Sequence, residues 1–303
     1  MKKTLAVLMA SLMALSLAGC GSSSTTETTA AATEAATTAA ETTAAETTAE
    51  AAGETTAADA ADETTAEADS DIAYVKGKGT LVVGITEFEP MDYKDADGSW
   101  IGFDADMAKA FAESLGVTAE FVEIDWDNKI LELDGKTIDC VWNGMTLTDE
   151  VKSAMSTSNA YCNNAQVVIV KADVADKYQD TDSLKELSFA VEAGSAGEAE
   201  VSALGLNYTP VKAQSDALME VAAGTSDAAV IDALMASAMV GEGTGYENLT
   251  YTIGLNSEEY GVGFRKGSDL TEALNDFFKT SYNDGSMLSC AEEYGVQAAI
   301  VEQ

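Results

Sequence analysis

The segment WNGMTLTDEVKSAM, residues 142–155, places Gly144 and two hydroxyls, Thr146 and Thr148, behind the apolar run IDCVW. Side chains two apart on an extended chain share a face, so a strand ending here presents both hydroxyls together. Such an arrangement, followed by the acidic pair Asp149 and Glu150, is suited to gripping something small. Ser195 is a second candidate, because it opens a helical pattern running to Leu204. Its hydroxyl and the N–H groups of Ala196 and Gly197 would face an anion with the positive end of the helix dipole behind them. The 303-residue chain has no histidine, which excludes His-dependent catalytic triads. Cys140, Cys162 and Cys290 show no CxxC spacing, so no zinc or iron–sulfur site is expected, no cofactor is implied, and at most one disulfide can form. The single arginine, Arg265, lies far along the chain from all of these.

The N-terminus, MKKTLAVLMASLMALSLAGC, combines Lys2 and Lys3 with an apolar stretch from Leu5 to Leu17 and the ending Leu17-Ala18-Gly19-Cys20. The stretch is too short to span a bilayer and reads as a secretory signal, residues 1–19. The LAGC ending resembles the bacterial lipobox, whose cysteine becomes a lipid-modified N-terminus. Cys20 is therefore the expected lipidation site, and two acyl signals there would give a stable membrane anchor.

Residues 20–71 form the next unit. They are almost wholly Ser, Thr, Ala, Glu and Asp, with ETTA recurring at Glu27, Glu41, Glu46, Glu54 and Glu63. Without aromatics or periodicity such a segment does not bury enough apolar surface to offset its ordering entropy, so a disordered tether is expected. The chain as a whole carries a formal net charge of −36 at pH 7. That acidity repels nucleic acid and anionic lipid headgroups, so neither is an expected partner.

Elements that must position the candidate residues begin at TLVVGI, 80–85, a short β-rich run. DADMAKAFAESLG then sets Met107, Ala108, Phe111, Ala112 and Leu115 at helical spacing, with Asp104 in a capping position and Gly116 as the stop. VTAEFVEI reads as a strand, Lys129 to Leu133 as a helix and TIDCVW as a strand. This alternation calls for a parallel sheet covered on both faces. AQVVIVKA opens a second series: a short helix TDSLKEL, a strand SFAVEAG, the Ser195 helix, a strand YTPVKA, a helix SDALMEVAAG capped by Ser215, a strand DAAVID and a helix ALMASAMVG. The strand EYGVGFRKG, the helix with Leu270, Leu274 and Phe277 or Phe278 inward, and a helix from Met287 to Tyr294 follow. These last elements lack a sheet of their own, so they are expected to return to the first unit. The expected division is a first lobe of residues 72–161 plus 260–303, a second of 166–255, and crossings near 161–166 and 256–260 that permit hinge closing.

Several stretches together resemble the family 3 bacterial solute-binding proteins, the amino-acid receptors of ABC importers. They are LVVGITEFEPMDYKDADGSWIGFDADMAKAFAESLGV (81–117), IDWDNKILEL (124–133), DCVWNGMTLTDE (139–150), VEAGSAGE (191–198), AAGTSDAAVIDA (222–233) and YGVGFRKGS (260–268). The resemblance implies an α/β, two-lobed periplasmic-binding-protein-like (type II) fold with the ligand in the cleft between lobes and a double-crossover hinge. It implies Phe88 and Trp126 as aromatic walls, Gly144 and Thr146 as the floor with Asn143 beside them, Ser195 and Ala196 for part of an α-carboxylate, and Asp232 for the α-ammonium. Thr148 is placed either to cap the following helix or to touch ligand.

One departure stands out. The position where the family carries a carboxylate-binding arginine is Val151 here, with Lys152 next to it but rotated by about 100° on a helix. A carboxylate would then rest on the Ser195 helix start and Thr146, or draw in Lys152, or be absent from the ligand. Glu87, Asp125 and Glu192 near the expected cleft suggest a cationic side chain on it. The implied protein is a monomeric, lipid-anchored, extracytoplasmic receptor that captures an amino acid or related amine-bearing molecule and delivers it to an ABC permease. It is expected not to be an enzyme; a dehydratase on the same fold, with Glu87 as acid, and a ligand-sensing domain are the alternatives.

Overall fold

The computed structural model describes residues 70–303. The leader, Cys20 and the acidic threonine-rich segment up to residue 69 lie outside the described residues. The tether expected to run to residue 71 stops sooner, because Ser70 caps helix α1, Asp71–Lys78, by accepting a hydrogen bond from the Ala73 N–H. Strand β1, Thr80–Ile85, follows at once. A small antiparallel hairpin of β2, Tyr93–Lys94, and β3, Trp100–Ile101, leads into α2, Phe103–Leu115. The spacing of apolar residues in α2 buries Met107, Ala108, Phe111 and Ala112. Asp104 does not cap it: α2 starts after Gly102, and the Asp104 carboxylate is turned fully inward.

Strand β4 is Thr118–Glu123, α3 is Lys129–Asp134 and β5 is Cys140–Thr146. Both β4 and β5 lie parallel to β1, as helical crossovers require. After α4, Asp149–Ala154, come the short strands β6, Ser156–Thr157, and β7, Cys162–Asn164, then β8, Gln166–Lys171. The second sheet is completed by β9, Ser188–Glu192; α5, Ala196–Ala203; β10, Asn207–Val211; α6, Gln214–Ala223; β11, Ala228–Asp232; α7, Ala233–Met239; and β12, Leu249–Gly254. Strand β13, Glu258–Phe264, returns to the first sheet, and α8, Leu270–Asp284, and α9, Ser286–Glu293, cover it. The strand orders are β4-β1-β5-β13-β6, with β7 also on β13, and β10-β9-β11-β8-β12. This mixed α/β, two-lobed arrangement is the type II binding-protein architecture that the sequence implies.

Two local expectations need correction. TDSLKEL forms only a 3₁₀ turn, Thr181–Leu184, held by a capping box between Asp180 and Ser183. Helix α6 starts a residue before Ser215, which therefore does not cap it; Gln214 is drawn inward instead. Strand β12 and the β2–β3 hairpin carry no expectation from the sequence, although β12 alternates Leu249, Tyr251 and Ile253. The crossings are also narrower than the stretches named for them. Cys162–Asn164 pairs with Glu258–Tyr260 in the first sheet, and β8 starts at Gln166. Only Ala165 on one side, and Leu255 to Ser257 on the other, are free of strand structure.

The first lobe's core stacks Phe111, Trp142, Tyr161 and Phe278, with ring centroids 5.5 Å apart for Trp142–Phe278 and Tyr161–Phe278. The second packs Val168, Val170, Phe189, Val191, Val201 and Val230. Among the described residues no helix is long and apolar enough to cross a membrane. Cys140, Cys162 and Cys290 are free thiols.

Arg265 ties α1 to this body. Its Nε reaches both Asp71 oxygens at 3.1 Å, Nη2 reaches Asp71 Oδ1 at 2.9 Å and Asp139 Oδ1 at 3.3 Å, and Nη1 donates to the Ile138 carbonyl at 2.8 Å. Asp139 is wholly buried and also takes Lys78. Removing the guanidinium strands the Asp71 carboxylate and leaves Asp139 with Lys78 as its only counter-charge, so Arg265→Leu should lower stability by about 3–5 kcal/mol. The check is a urea titration, in which the midpoint should fall while the slope stays unchanged.

Candidate ligand-binding cleft

A cavity of about 300 Å³ opens between the ends of the two sheets. All eight residues implied by the resemblance line it: Phe88, Trp126, Asn143, Gly144, Thr146, Ser195, Ala196 and Asp232. Thr148, Val151 and Glu192 line it as well, while Lys152 is exposed outside it.

The floor is built by β5. Gly144 has φ of 55°, a left-handed conformation, and the pairing of β5 with β13 shifts register around it. A Cβ at 144 would lie 2.5 Å from Phe88 Cε1 and 3.1 Å from Tyr260 Cε2, so only glycine lets Phe88 lie on the floor. Leaving the ladder, the Gly144 N–H donates to Asp104 Oδ2 at 2.7 Å, and the Tyr161 hydroxyl donates to the same oxygen at 2.7 Å. Burial pushes Asp104 up to about 7 against these two bonds.

Asn143 holds the neighbouring loop. Its Oδ1 accepts from the N–H and hydroxyl of Thr86, both at 2.9 Å, and its Nδ2 donates to Thr86 O and to Asp92 Oδ2, at 2.9 and 2.8 Å. These bonds occupy the whole amide, so the side chain fixes the loop carrying Phe88 and has no donor left for a ligand. Thr148 caps α4 by accepting from the Val151 N–H at 3.2 Å.

The opposite wall comes from the carboxyl ends of β9 and β11, where open α/β sheets usually bind ligands. Asp232 is buried, and its carboxylate accepts from three carboxamides: Asn164, Gln166 and Gln214. Asn164 and Gln166 donate equally to Glu258 Oε1, at 2.7 and 2.8 Å, and so does the Thr146 hydroxyl, at 3.0 Å. Residues flanking both chain crossings thus meet at the Asp232 wall. Among the described residues no cation pairs with Asp232, and burial, then the Glu258 carboxylate, push it up to about 8 against the amide hydrogen bonds. Glu192 is buried beside it with Oε1 unpartnered. Burial and then Asp232 push Glu192 up to about 8, opposed by Thr86, Lys129 and Gln214. Glu87 and Asp125 fall elsewhere: Glu87 lines a separate crevice with Lys212, and exposed Asp125 lies 3.8 Å from the same lysine.

Helix α5 starts at the rim. Ser195 Oγ accepts from the Glu198 N–H at 3.1 Å as an N-cap, and Glu198 in turn accepts from the Gly194 N–H at 2.7 Å. Lys129 was not singled out from the sequence, yet it is buried in the cavity wall. Its ammonium donates to Trp126 O at 3.2 Å and Gly194 O at 2.9 Å and sits 5.0 Å over the Trp126 ring. Its place one helical turn after Trp126 was the available signal.

A two-lobed α/β body with a polar cleft at strand ends is the architecture of the solute-binding proteins. Residues 81–297 match the bacterial extracellular solute-binding proteins, family 3, and the chain belongs to that family. The L-cystine-binding protein TcyJ of Escherichia coli (strain K12) is 29% identical over 227 residues, 73% of this chain and 84% of that protein. A Streptococcus pneumoniae ABC uptake transporter substrate-binding protein with bound histidine superposes with a TM-score of 0.69 at 28% identity, covering 77% of this chain and 99% of that one. The ancestral amino acid-binding protein AncCDT-1, a precursor of cyclohexadienyl dehydratase, gives a TM-score of 0.68 at 30% identity, over 74% and 99% of the two chains.

The raised carboxyls set a pH dependence. Between about pH 4 and pH 8 the folded protein keeps protons that the unfolded chain has released. That stability is fully present below about pH 4 and is lost as pH rises through 8. The melting temperature of the ligand-free protein should therefore fall from pH 5 to pH 8.5. Glu192→Gln should flatten the fall, which general repulsion on an acidic surface would leave unaltered.

Proposed function

We propose that the chain is an extracytoplasmic receptor, exported and lipid-anchored through Cys20, that captures an amino acid with a second cationic group and presents it to an ABC importer. The observation carrying the ligand class is the pair Asp232 and Glu192, both buried in one wall and, among the described residues, neither in an ion pair, with Lys129 acting on Glu192 only from a distance. A ligand bringing one ammonium to Asp232 and another amine, guanidinium or imidazolium to Glu192 turns two strained acids into ion pairs inside a dry cleft. Phe88 and Trp126 would flank the carbon stem between the two charges. TcyJ, named for cystine, and the histidine-bound protein are similar to this chain, and both ligands carry a second nitrogen group.

Lobe closure about the two narrow crossings would desolvate the ligand, and the closed form would be what the importer reads. The leader and lipobox-like ending support export and anchoring, and the segment through residue 69 would serve as the spacer. A receptor fits better than a dehydratase, because Glu87, the residue cast as acid, does not line the cavity.

A thermal-shift screen across amino acids and amines tests this reading. A ligand at 100 times its Kd should add about 2.7 kcal/mol of stability. Asp232→Asn should weaken every α-amino acid by about 100-fold, whereas Glu192→Gln should weaken those with cationic side chains and spare neutral ones. Selective stabilisation by neutral or acidic amino acids, unaffected by Glu192→Gln, would refute the ligand class.

A further inference from the structure

The cavity contains one basic side chain among its lining residues, Lys129, against the acids Asp149, Glu150, Glu192 and Asp232. Val151 is apolar, Lys152 is exposed outside the cavity, and Arg265 is committed to Asp71 and Asp139. Lys129 is only 8% exposed and forms no ion pair; its known partners are two carbonyl oxygens. An ammonium has three donors, so one N–H remains for something in the cavity. Burial works against its charge, and the carboxylates of Glu150, Glu192, Asp127 and Glu198 stabilise that charge from beyond ion-pair distance, so the ammonium stays charged while its third N–H is open to a ligand.

The place of the ammonium is informative too. It bonds the carbonyl of Gly194, the residue immediately before the Ser195 cap, so it stands at the helix start whose free N–H groups already favour an anion. Gly194 is itself pressed against the Lys129 side of the cleft, since a Cβ there would lie 2.7 Å from Asp127 Cα.

We propose that Lys129 is the carboxylate-binding residue of this cleft. Its ammonium, with the start of α5, takes the α-carboxylate that Val151 does not reach. The proposal rests on the amino-acid reading above. A lysine is a point charge and not a planar fork, so it selects charge with less regard for the orientation of the carboxylate. Because it bridges from α3 to Gly194, the carboxylate would be gripped where the two lobes already touch.

The test compares ligand pairs that differ only in the carboxylate: L-arginine with agmatine, L-lysine with cadaverine, L-histidine with histamine and L-cystine with cystamine. Calorimetry on the wild-type chain should show at least one amino acid bound more tightly than its amine. Lys129→Met should cost that amino acid about 30-fold or more and the amine less than about threefold. Lys129→Gln keeps a donor for the carbonyls and removes the charge, so it should behave like Lys129→Met. Adding Val151→Arg to Lys129→Met should recover amino-acid binding. If both members of a pair weaken equally, Lys129 is a strap between the lobes and the assignment is wrong; unchanged amino-acid binding also overturns it. Should the wild-type chain bind none of these amino acids, the amino-acid reading fails and takes the assignment with it, an outcome separate from the other two. Melting of each ligand-free variant shows that it is folded before binding is scored.

Discussion

The cleft depends on carboxylates being kept dry by neutral donors. Asp232 is held by the amides of Asn164, Gln166 and Gln214, and Asp104 by a backbone N–H and a tyrosine hydroxyl. Amides orient a carboxylate without cancelling its charge, so each acid is fixed in place yet remains electrostatically unsatisfied. A lysine or arginine at any of these points would make a more stable empty protein with no appetite for a cation. The wall thus holds buried acids that no side-chain cation pairs with among the described residues.

The same amides link the wall to the hinge. Asn164 and Gln166 flank one crossing and Glu258 follows the other, and all three meet Asp232 or share its donors. A change in charge at Asp232 alters the acceptor strength that Glu258 competes against. Binding and the angle between lobes therefore draw on one set of hydrogen bonds. Thr146 joins that set from the opposite lobe through its hydroxyl on Glu258.

Long-period features were legible in the sequence, and short polar ones were not. Apolar spacing in α2 and α8 named the inward residues, because burial of a helix face leaves a repeating mark. Gly144, Thr146, Ser195 and Asp232 were found through motif likeness, and they do line one cavity. Asp104 and Ser215 were misread as caps: both residue types favour caps, and only the tertiary partner, Gly144 for one and Gln214's pull toward Asp232 for the other, decides otherwise. Lys129 was passed over because a lysine on a short helix usually points to water. Its spacing of three residues from Trp126 is the one local sign that it folds back over that ring. Gln166 and Gln214 were likewise invisible, since a lone glutamine in a strand or helix has no pattern.

The clamp of Arg265 on Asp71 and Asp139 has a mechanical meaning. Any pull transmitted along the residues that precede Ser70 arrives at α1, and the clamp passes it to β13 and to the turn before β5 inside the first lobe. That load path bypasses the second lobe. Tension on α1 is therefore taken up within the first lobe without prying the cleft apart, and opening of the cleft is left to what the cleft itself binds.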